Sequence, residues 1–173
     1  MLRASVRLCC VLAMFGSCTA PSFAEPTDPA ADPIGPRVRG ATPRMTRLIA
    51  EATRRSFTFA SLVAAVNRTN VIVYVQETKD LPNGVDGQLA VSSSRGGQRY
   101  LRAQVVSGLS LEDTISIVGH ELQHAIEVAA HEEVHDAKSL AELYQRIGIA
   151  AYHGRYDTIA ARATGLRVRM ELG

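Results

Sequence analysis

The chain has 173 residues, 46% of them hydrophobic and 21% charged, with 19 basic residues against 17 acidic ones. That length is enough for one domain with a core of its own. The formal net charge of only +2 gives no basic field that would attract nucleic acid, so we expect no nucleic-acid partner.

Residues 1–24 have the pattern of a secretory signal peptide. Arg3 and Arg7 form a basic start, an apolar segment follows, and a small-x-small cleavage site ends at Ala24. The apolar segment is too short to span a membrane, and no other apolar run is long enough. We expect a secreted or periplasmic protein without a transmembrane span. Alternatively, a sequence that loosely resembles a lipoprotein box would anchor the chain through a lipid on Cys18.

The three cysteines Cys9, Cys10 and Cys18 all lie within this leader. Cleavage after Ala24 would remove 24 of the 173 residues and leave 149, with 17 basic and 17 acidic side chains. The mature chain would then be near neutral and would contain neither disulfides nor thiolate ligands. Any metal site in it must therefore be built from His, Asp and Glu.

The first segment of the mature chain has the composition of a tether. Residues 25–41 are rich in proline, alanine and aspartate and hold little that a core could bury. The folded domain is expected to span residues 42–173. Thr42 followed by Pro43 is typical of a helix start, and a first helix is predicted to about Arg55.

A small sheet is predicted after a second helix, which Ser56 or Thr58 can cap. The β-branched run 71–76 is the best candidate for a central strand. Residues 89–92 and 100–106 flank a Gly-Gly turn and predict a β-hairpin. Together with the helices that follow, these elements predict an α+β fold.

A long helix, opened by a capping pattern at Ser110, carries a His-Glu-x-x-His motif at His120, Glu121 and His124. Each residue of an α-helix turns by about 100°, so the two histidines lie one above the other on one face. Two imidazoles at this spacing can bind one Zn²⁺. Glu121 is the candidate general base, because a carboxylate there can take a proton from water at the metal.

The context of the motif decides how much weight it carries. Its flanks are uncharged at Ile117, Val118, Leu122 and Ala125, so the helix can be buried behind the metal face. Burial favours a rigid site that is partly closed to water. The alternative interpretation is a buried helix whose histidines only satisfy hydrogen bonds.

The motif occurs a second time at His131, Glu132 and His135. Here Glu133 places a charge where a buried site helix needs an uncharged residue, and the flanks are polar. A solvated helix end or turn is the favoured interpretation, and secondary metal binding is the alternative.

Residues 118–125 resemble the active-site helix of zincin metallopeptidases, and the preceding strand and hairpin match the element order of a minimal zincin domain. Small secreted bacterial proteins of undefined function carry a similar His-Glu-Leu-Gln-His core. The metzincin pattern is absent, since Glu127 stands where its glycine would be. The gluzincin type is the nearer comparison, and it implies one zinc ion with an acidic third ligand on a downstream helix.

Three acids are candidates for this third ligand. Asp157 is the first choice, at the start of a helix predicted from about Asp157 to Leu172, although an ordinary helix N-cap would suit it equally. Glu127 lies on the metal face of the site helix and could either bind the metal or hold a histidine ring. Glu142, in a helix predicted over residues 140–147, has suitable spacing but lies in what could be a surface helix.

The resemblance implies a zinc metallopeptidase that hydrolyses peptide or protein substrates. The alternative is a secreted metal-binding or structural envelope protein without peptidase activity. In zincins an edge strand binds extended peptide by backbone pairing, and residues 88–94 could serve in this way. Arg99 and Arg102 on the following strand are expected on a solvated face or on the rim of the site.

Overall fold

The structure, a computed structural model, describes residues 35–151 and 155–173. The predicted signal peptide, its three cysteines and most of the predicted tether lie outside the described residues. Within the described part, no helix is both long and apolar enough to cross a membrane.

The predicted α+β fold is confirmed: the described residues form five helices, a four-stranded sheet and a two-stranded hairpin. In chain order the elements are β1 Val38–Gly40, α1 Pro43–Arg55, α2 Phe57–Val66, β2 Val71–Thr78, β3 Gly87–Arg95, β4 Gln98–Val106, α3 Leu111–Ala129, α4 Ala137–Ile147, β5 Ile149–Ala150, β6 Tyr156–Asp157 and α5 Ile159–Leu172.

The sheet is mixed and has the order β1-β2-β4-β3. Strand β2 pairs in parallel with β1 and β4, so it is an interior strand, as its β-branched sequence predicts. Strands β3 and β4 form the predicted antiparallel hairpin, and their turn at Gly96 and Gly97 has φ angles of +59° and +76°. Two consecutive positive φ angles suit the twist of a tight hairpin, and glycine adopts them without strain.

Two predicted helix starts are confirmed by their caps. The Thr42 side chain accepts from the backbone N–H of Met45, and Pro43 takes the first helical position of α1. Of the two caps considered for α2, Ser56 is the one used, since its hydroxyl accepts from Phe59 N at 2.9 Å. The prediction of a tether over residues 25–41 is wrong at its end, because β1 lies inside that segment. Three residues are too few to give a recognisable strand pattern in the sequence.

Helix α3 lies at the centre of the fold. It packs on β3 and β4 with one side and on α2 and α5 with the others. As a result 12 of its 19 residues are buried, including the apolar residues Ile115, Val118, Leu122 and Ala125. A helix enclosed on most sides can hold polar side chains in fixed positions, provided that these side chains find partners.

Helix α5 is held at both ends. Thr158 caps its N-terminus by accepting from Ala161 N at 3.0 Å. Near its C-terminus, Glu171 accepts from the hydroxyl groups of Ser56 at 2.5 Å and Thr58 at 2.6 Å. The helix is therefore fixed against α2, and its first turn follows directly on the strand that carries Asp157.

Arg99 corrects one sequence prediction, because it lies neither on a solvated face nor on a rim. Its side chain passes under the C-terminal end of α3 and is only 3% exposed. The guanidinium donates to carbonyl oxygens of Val128 at 2.8 Å, Ala129 at 3.1 Å and His131 at 2.6 Å. A cation in this place adds a second donor to the carbonyls of Val128 and His131, which also accept from backbone N–H groups, and matches the negative end of the helix dipole. Arg102 is exposed, as predicted.

Candidate metal centre

His120 and His124 face the same direction from α3, as the helical spacing predicts. Their Nε2 atoms lie 3.1 Å apart, and the two rings are nearly perpendicular, at 78°. His120 is 2% exposed and His124 is fully buried. The two ring nitrogens therefore point at one common position inside the protein.

Asp157 completes the group from a different segment of the chain. Its Oδ1 atom lies 3.3 Å from the Nε2 atoms of both His120 and His124. The residue is the second residue of β6 and not the start of a helix as predicted, because Thr158 takes the capping position. The first choice for the third ligand is thus the acid that the fold brings to the histidines. These three buried residues could hold a metal ion.

The spacing of the three atoms can be compared with what a metal requires. Donor atoms at 2.0–2.1 Å from a tetrahedral zinc lie about 3.3–3.4 Å from one another. The observed separations of 3.1, 3.3 and 3.3 Å are close to this value. Two imidazoles and one carboxylate are also a donor set that zinc commonly takes, so the residues present fit this metal.

Glu127, one of the alternative ligands, holds a histidine ring instead. Its Oε2 atom accepts from His124 Nδ1 at 2.8 Å and from the Tyr144 hydroxyl at 3.1 Å. Its Oε1 atom accepts from the Thr158 hydroxyl at 2.7 Å. An acceptor at Nδ1 fixes the ring orientation and directs Nε2 at the metal position. Glu127 therefore connects α3 with α4 and with the residue that follows Asp157.

We expect Glu127→Gln to weaken zinc binding by roughly 10- to 100-fold, the usual cost of losing such a carboxylate. The amide can still accept one hydrogen bond, but it removes the negative charge that makes His124 a better ligand. The measurement is zinc affinity by competition with a chelating dye. Glu142→Gln is the matched control, because Glu142 is exposed and lies 3.9 Å from Lys138 on the outer face of α4. A loss of zinc affinity in Glu142→Gln but not in Glu127→Gln would contradict the supporting role of Glu127.

Burial and neighbouring charges act in opposite directions on the pKa values of His124 and Asp157. Desolvation acts to lower the pKa of His124, but its hydrogen bonds to Asp157 and Glu127 and the charge of Glu121 raise it to about 9. Desolvation acts to raise the pKa of Asp157, yet both histidines and Arg162 hold it well below its usual range. Without a metal, the cluster thus contains a protonated histidine beside ionised carboxylates. The carboxylates around His124 would also favour a bound cation, because their negative charge attracts it.

The metal-free protein should therefore lose stability as the pH rises. The pKa of His124 is raised from an ordinary value of 6.5 to about 9. Its contribution to stability is complete below pH 6.5 and is lost as the pH approaches 9. We expect the melting temperature of chelator-treated protein to fall across this interval. Zinc-loaded protein should not show the same fall, because its histidines are already deprotonated. A level profile for the metal-free chain would contradict the raised pKa.

Glu121 lies beside this group but outside it, buried between α3 and β3. A Cβ atom at Gly87 would lie 2.9 Å from Glu121 Oε1 and 2.3 Å from a methyl carbon of Ile117. Only glycine at the start of β3 leaves room for the carboxylate. Glu121 is thus placed next to the candidate ligands without being one of them, as the motif predicts.

Two glycines bring α5 close to the site helix. A Cβ atom at Gly165 would lie 3.2 Å from the Cβ atom of His120, and one at Gly119 would lie 2.9 Å from Val168. The Ser116 hydroxyl donates to the carbonyl oxygen of Gly165 at 2.8 Å across the same contact. The absence of two side chains therefore lets α5, and Asp157 before it, approach the histidines.

The second copy of the motif does not form such a site. Helix α3 ends at Ala129, and His131 and His135 lie in the turn before α4. His131 Nδ1 contacts Glu133 at 3.2 Å, and His135 Nδ1 lies 2.6 Å from the carbonyl oxygen of Glu133. The prediction of a solvated turn is confirmed. Among the described residues, only the group around His124 brings three candidate ligands together.

Sequence reasoning missed three residues that support the site. Tyr144 and Thr158 both donate to Glu127, and Arg162 donates from Nε to Asp157 Oδ2 at 2.9 Å. Tyr144 and Thr158 lie 17 and 31 residues from Glu127, so no local pattern marks their contact with it, whereas Arg162 is only five residues from Asp157. The one available signal is Thr158 itself, since Thr after an acid and before an apolar helix is a typical cap.

The chain matches no protein-family model, no curated protein and no solved structure. The interpretation of the site therefore depends on its own geometry.

Proposed function

We propose that this chain is a zinc-dependent hydrolase of peptide bonds, of the zincin type, that acts as a secreted or periplasmic protein. The observation that carries the proposal is the convergence of His120, His124 and Asp157, with Glu121 beside them on α3. Two histidines, one acid and an adjacent carboxylate are the groups that metal-assisted hydrolysis requires.

The roles of the residues follow from their positions. Zinc bound by His120, His124 and Asp157 would polarise the substrate carbonyl and lower the pKa of water beside it. Glu121 would take the proton from the attacking water and pass it to the leaving amine nitrogen. Glu127 holds His124 in place through Nδ1, and Arg162 holds the far oxygen of Asp157. The ligand geometry is thus set before substrate arrives.

The edge strand of the sheet supports a peptide as the substrate. Strand β3 is at the edge of the sheet and begins at Gly87, the residue against which the Glu121 carboxylate lies. An extended peptide that paired with β3 by backbone hydrogen bonds would pass this carboxylate. The ladder to β4 shifts register between Val91 and Ser93, so the regular part of the edge lies at the end nearer Glu121.

One observation favours the alternative, a metal-holding protein without peptidase activity. His124, Asp157 and Glu121 are each 0% exposed, and His120 is 2% exposed. Structural zinc sites are closed, whereas catalytic ones keep a position open to water or substrate. A closed site would serve to hold the fold together around the metal.

Metal analysis combined with a peptide-library assay on the purified mature chain separates the two functions. The proposal expects about one zinc per chain and cleavage that stops on chelation and returns with added zinc. One tightly held zinc without cleavage of any library member would instead support the metal-holding protein. A chain without zinc, whose melting temperature does not rise when zinc is added, would contradict both, since a bound metal must stabilise the fold.

A further inference from the structure

Arg155 lies on the same face of the small hairpin as Asp157. The hairpin pairs Ile149 with Asp157 and Ala150 with Tyr156. The N–H group of Ala151 donates to the carbonyl oxygen of Arg155 at 2.7 Å, which continues the same ladder by one step. Side chains alternate along a strand, so Arg155 and Asp157 point to one face and Tyr156 to the other. The packing of Tyr156 against the hydrophobic core agrees with this arrangement.

The Arg155 side chain is largely buried, and part of its guanidinium has no counterpart among the described residues. The residue is 6% exposed, and its Nε atom is buried with no hydrogen-bond partner. Among residues 35–151 and 155–173, none accepts a hydrogen bond from its side chain or forms an ion pair with it. Arg99, which is buried to a similar degree, donates to several carbonyl oxygens and to Asn70. Its two Nη atoms keep some exposure, so an anion from outside can reach the guanidinium of Arg155 and also pair with the unsatisfied Nε.

The backbone of Arg155 lies close to the candidate metal centre. Two residues along a strand are about 7 Å apart, so the Arg155 backbone lies that far from the backbone of Asp157. A second cation, Arg162, is already engaged there through its Nε atom on Asp157 Oδ2. An anion bound by Arg155 would therefore lie within one or two residues of a peptide bond held at the metal.

We propose that Arg155 is a substrate-binding residue that takes a carboxylate of the bound peptide. The planar guanidinium pairs with a carboxylate through two parallel hydrogen bonds, which gives direction as well as attraction. This carboxylate is either the C-terminal group of a short peptide or an acidic side chain next to the scissile bond. The proposal rests on the proposed function, because it names the substrate feature that the same site selects.

Equilibrium dialysis of a short N-acetylated peptide library tests the proposal. The library is made with free C-terminal carboxylates and, separately, with amides, and each set contains Glu-for-Gln pairs. The full zinc-treated chain carries Glu121→Gln so that bound peptides are not consumed. We expect it to retain peptides with the selected carboxylate at least about tenfold more than their neutral counterparts. The free-acid and Glu arms show which source of carboxylate is recognised.

Arg155→Met should reduce this preference to about one and leave the retention of neutral peptides unchanged. Arg155→Lys should recover part of the preference, since it restores the charge but not the planar donor pair. Arg102→Met is the matched control, because Arg102 is exposed on β4, and it should behave as the parent chain does. The melting temperature of Arg155→Met should not fall, since no hydrogen bond to the described residues is lost.

The possible failures are distinguishable. A parent chain without carboxylate preference, or a preference that Arg155→Met leaves intact, would overturn the assignment of Arg155. A fall of several degrees in the melting temperature of Arg155→Met, with no preference in the parent, would identify a purely structural arginine. If instead the preference depends on Arg155 but the native chain neither binds zinc nor cleaves peptides, the anion site stands and the proposed hydrolase function fails.

Discussion

Glu121→Gln is expected to bind zinc about as tightly as the native chain and to lose peptide hydrolysis by roughly 10²- to 10⁴-fold, the usual contribution of a general base. Glutamine has the same shape and fits the space beside Gly87, but it cannot accept a proton from water. The candidate ligands His120, His124 and Asp157 are untouched. Zinc content and steady-state cleavage, measured on the same preparation, check both halves of the prediction.

The second copy of the motif supplies the matched control. Glu132→Gln makes the same chemical change in a solvated turn, and Glu132 is exposed. It should leave both zinc content and turnover at the native level. Unchanged turnover in Glu121→Gln would exclude Glu121 as the base, and with it the proposed mechanism. Loss of zinc from Glu121→Gln would show that the carboxylate is needed to hold the metal.

Arg99→Met is expected to lower the free energy of unfolding by about 1.5–3 kcal/mol, the usual contribution of hydrogen bonds to a charged group. The substitution keeps the length of the side chain but removes the donors to Asn70 Oδ1 and to carbonyl oxygens at the end of α3. The carbonyl oxygens of Val128 and His131 keep a backbone donor, which limits the loss. Urea unfolding followed by circular dichroism measures the change.

Arg102→Met is the control for this experiment, because Arg102 lies three residues further along the same strand and is exposed. A change there should stay within about 0.5 kcal/mol of the native value. Equal effects of the two substitutions would mean that Arg99 contributes only as a surface charge. The prediction requires no bound metal and can be checked on chelator-treated protein.

Local patterns in the sequence predict the helices and the main strands of this fold. Thr42 with Pro43 begins α1, and the glycine pair at 96 and 97 forms the hairpin turn. Short elements are different, since β1 and the β5–β6 hairpin have three residues or fewer per strand. Strand β1 forms because the longer β2 pairs with it, and β5 and β6 pair with each other, contacts that composition does not record.

The candidate site, like the fold, can be predicted only in part from local sequence patterns. Helical periodicity is enough to place His120 and His124 on one face and Glu121 next to them. The sequence leaves three acids open as third ligand, because the choice depends on how α5 packs against α3. That packing depends on Gly119 and Gly165, whose role is to leave space, and a missing side chain gives no periodic signal. Arg99 was assigned to the wrong environment for a related reason, since its carbonyl partners lie about 30 residues away.

The attachment of α5 to both α2 and the strand that carries Asp157 also bears on when the candidate site can form. A chain emerging from the ribosome or from a translocation pore has His120 and His124 well before Asp157, which follows His124 by 33 residues. Until α5 docks, with Glu171 on Ser56 and Thr58, Asp157 lacks the hydrogen bond from Arg162 and the close packing of α5 on α3. The three-donor group is therefore assembled late in folding, through contacts of long sequence separation that form slowly. A nascent chain would accordingly carry two of its three candidate ligands, and neither tight metal capture nor the proposed hydrolysis is expected of it before the last helix is in place.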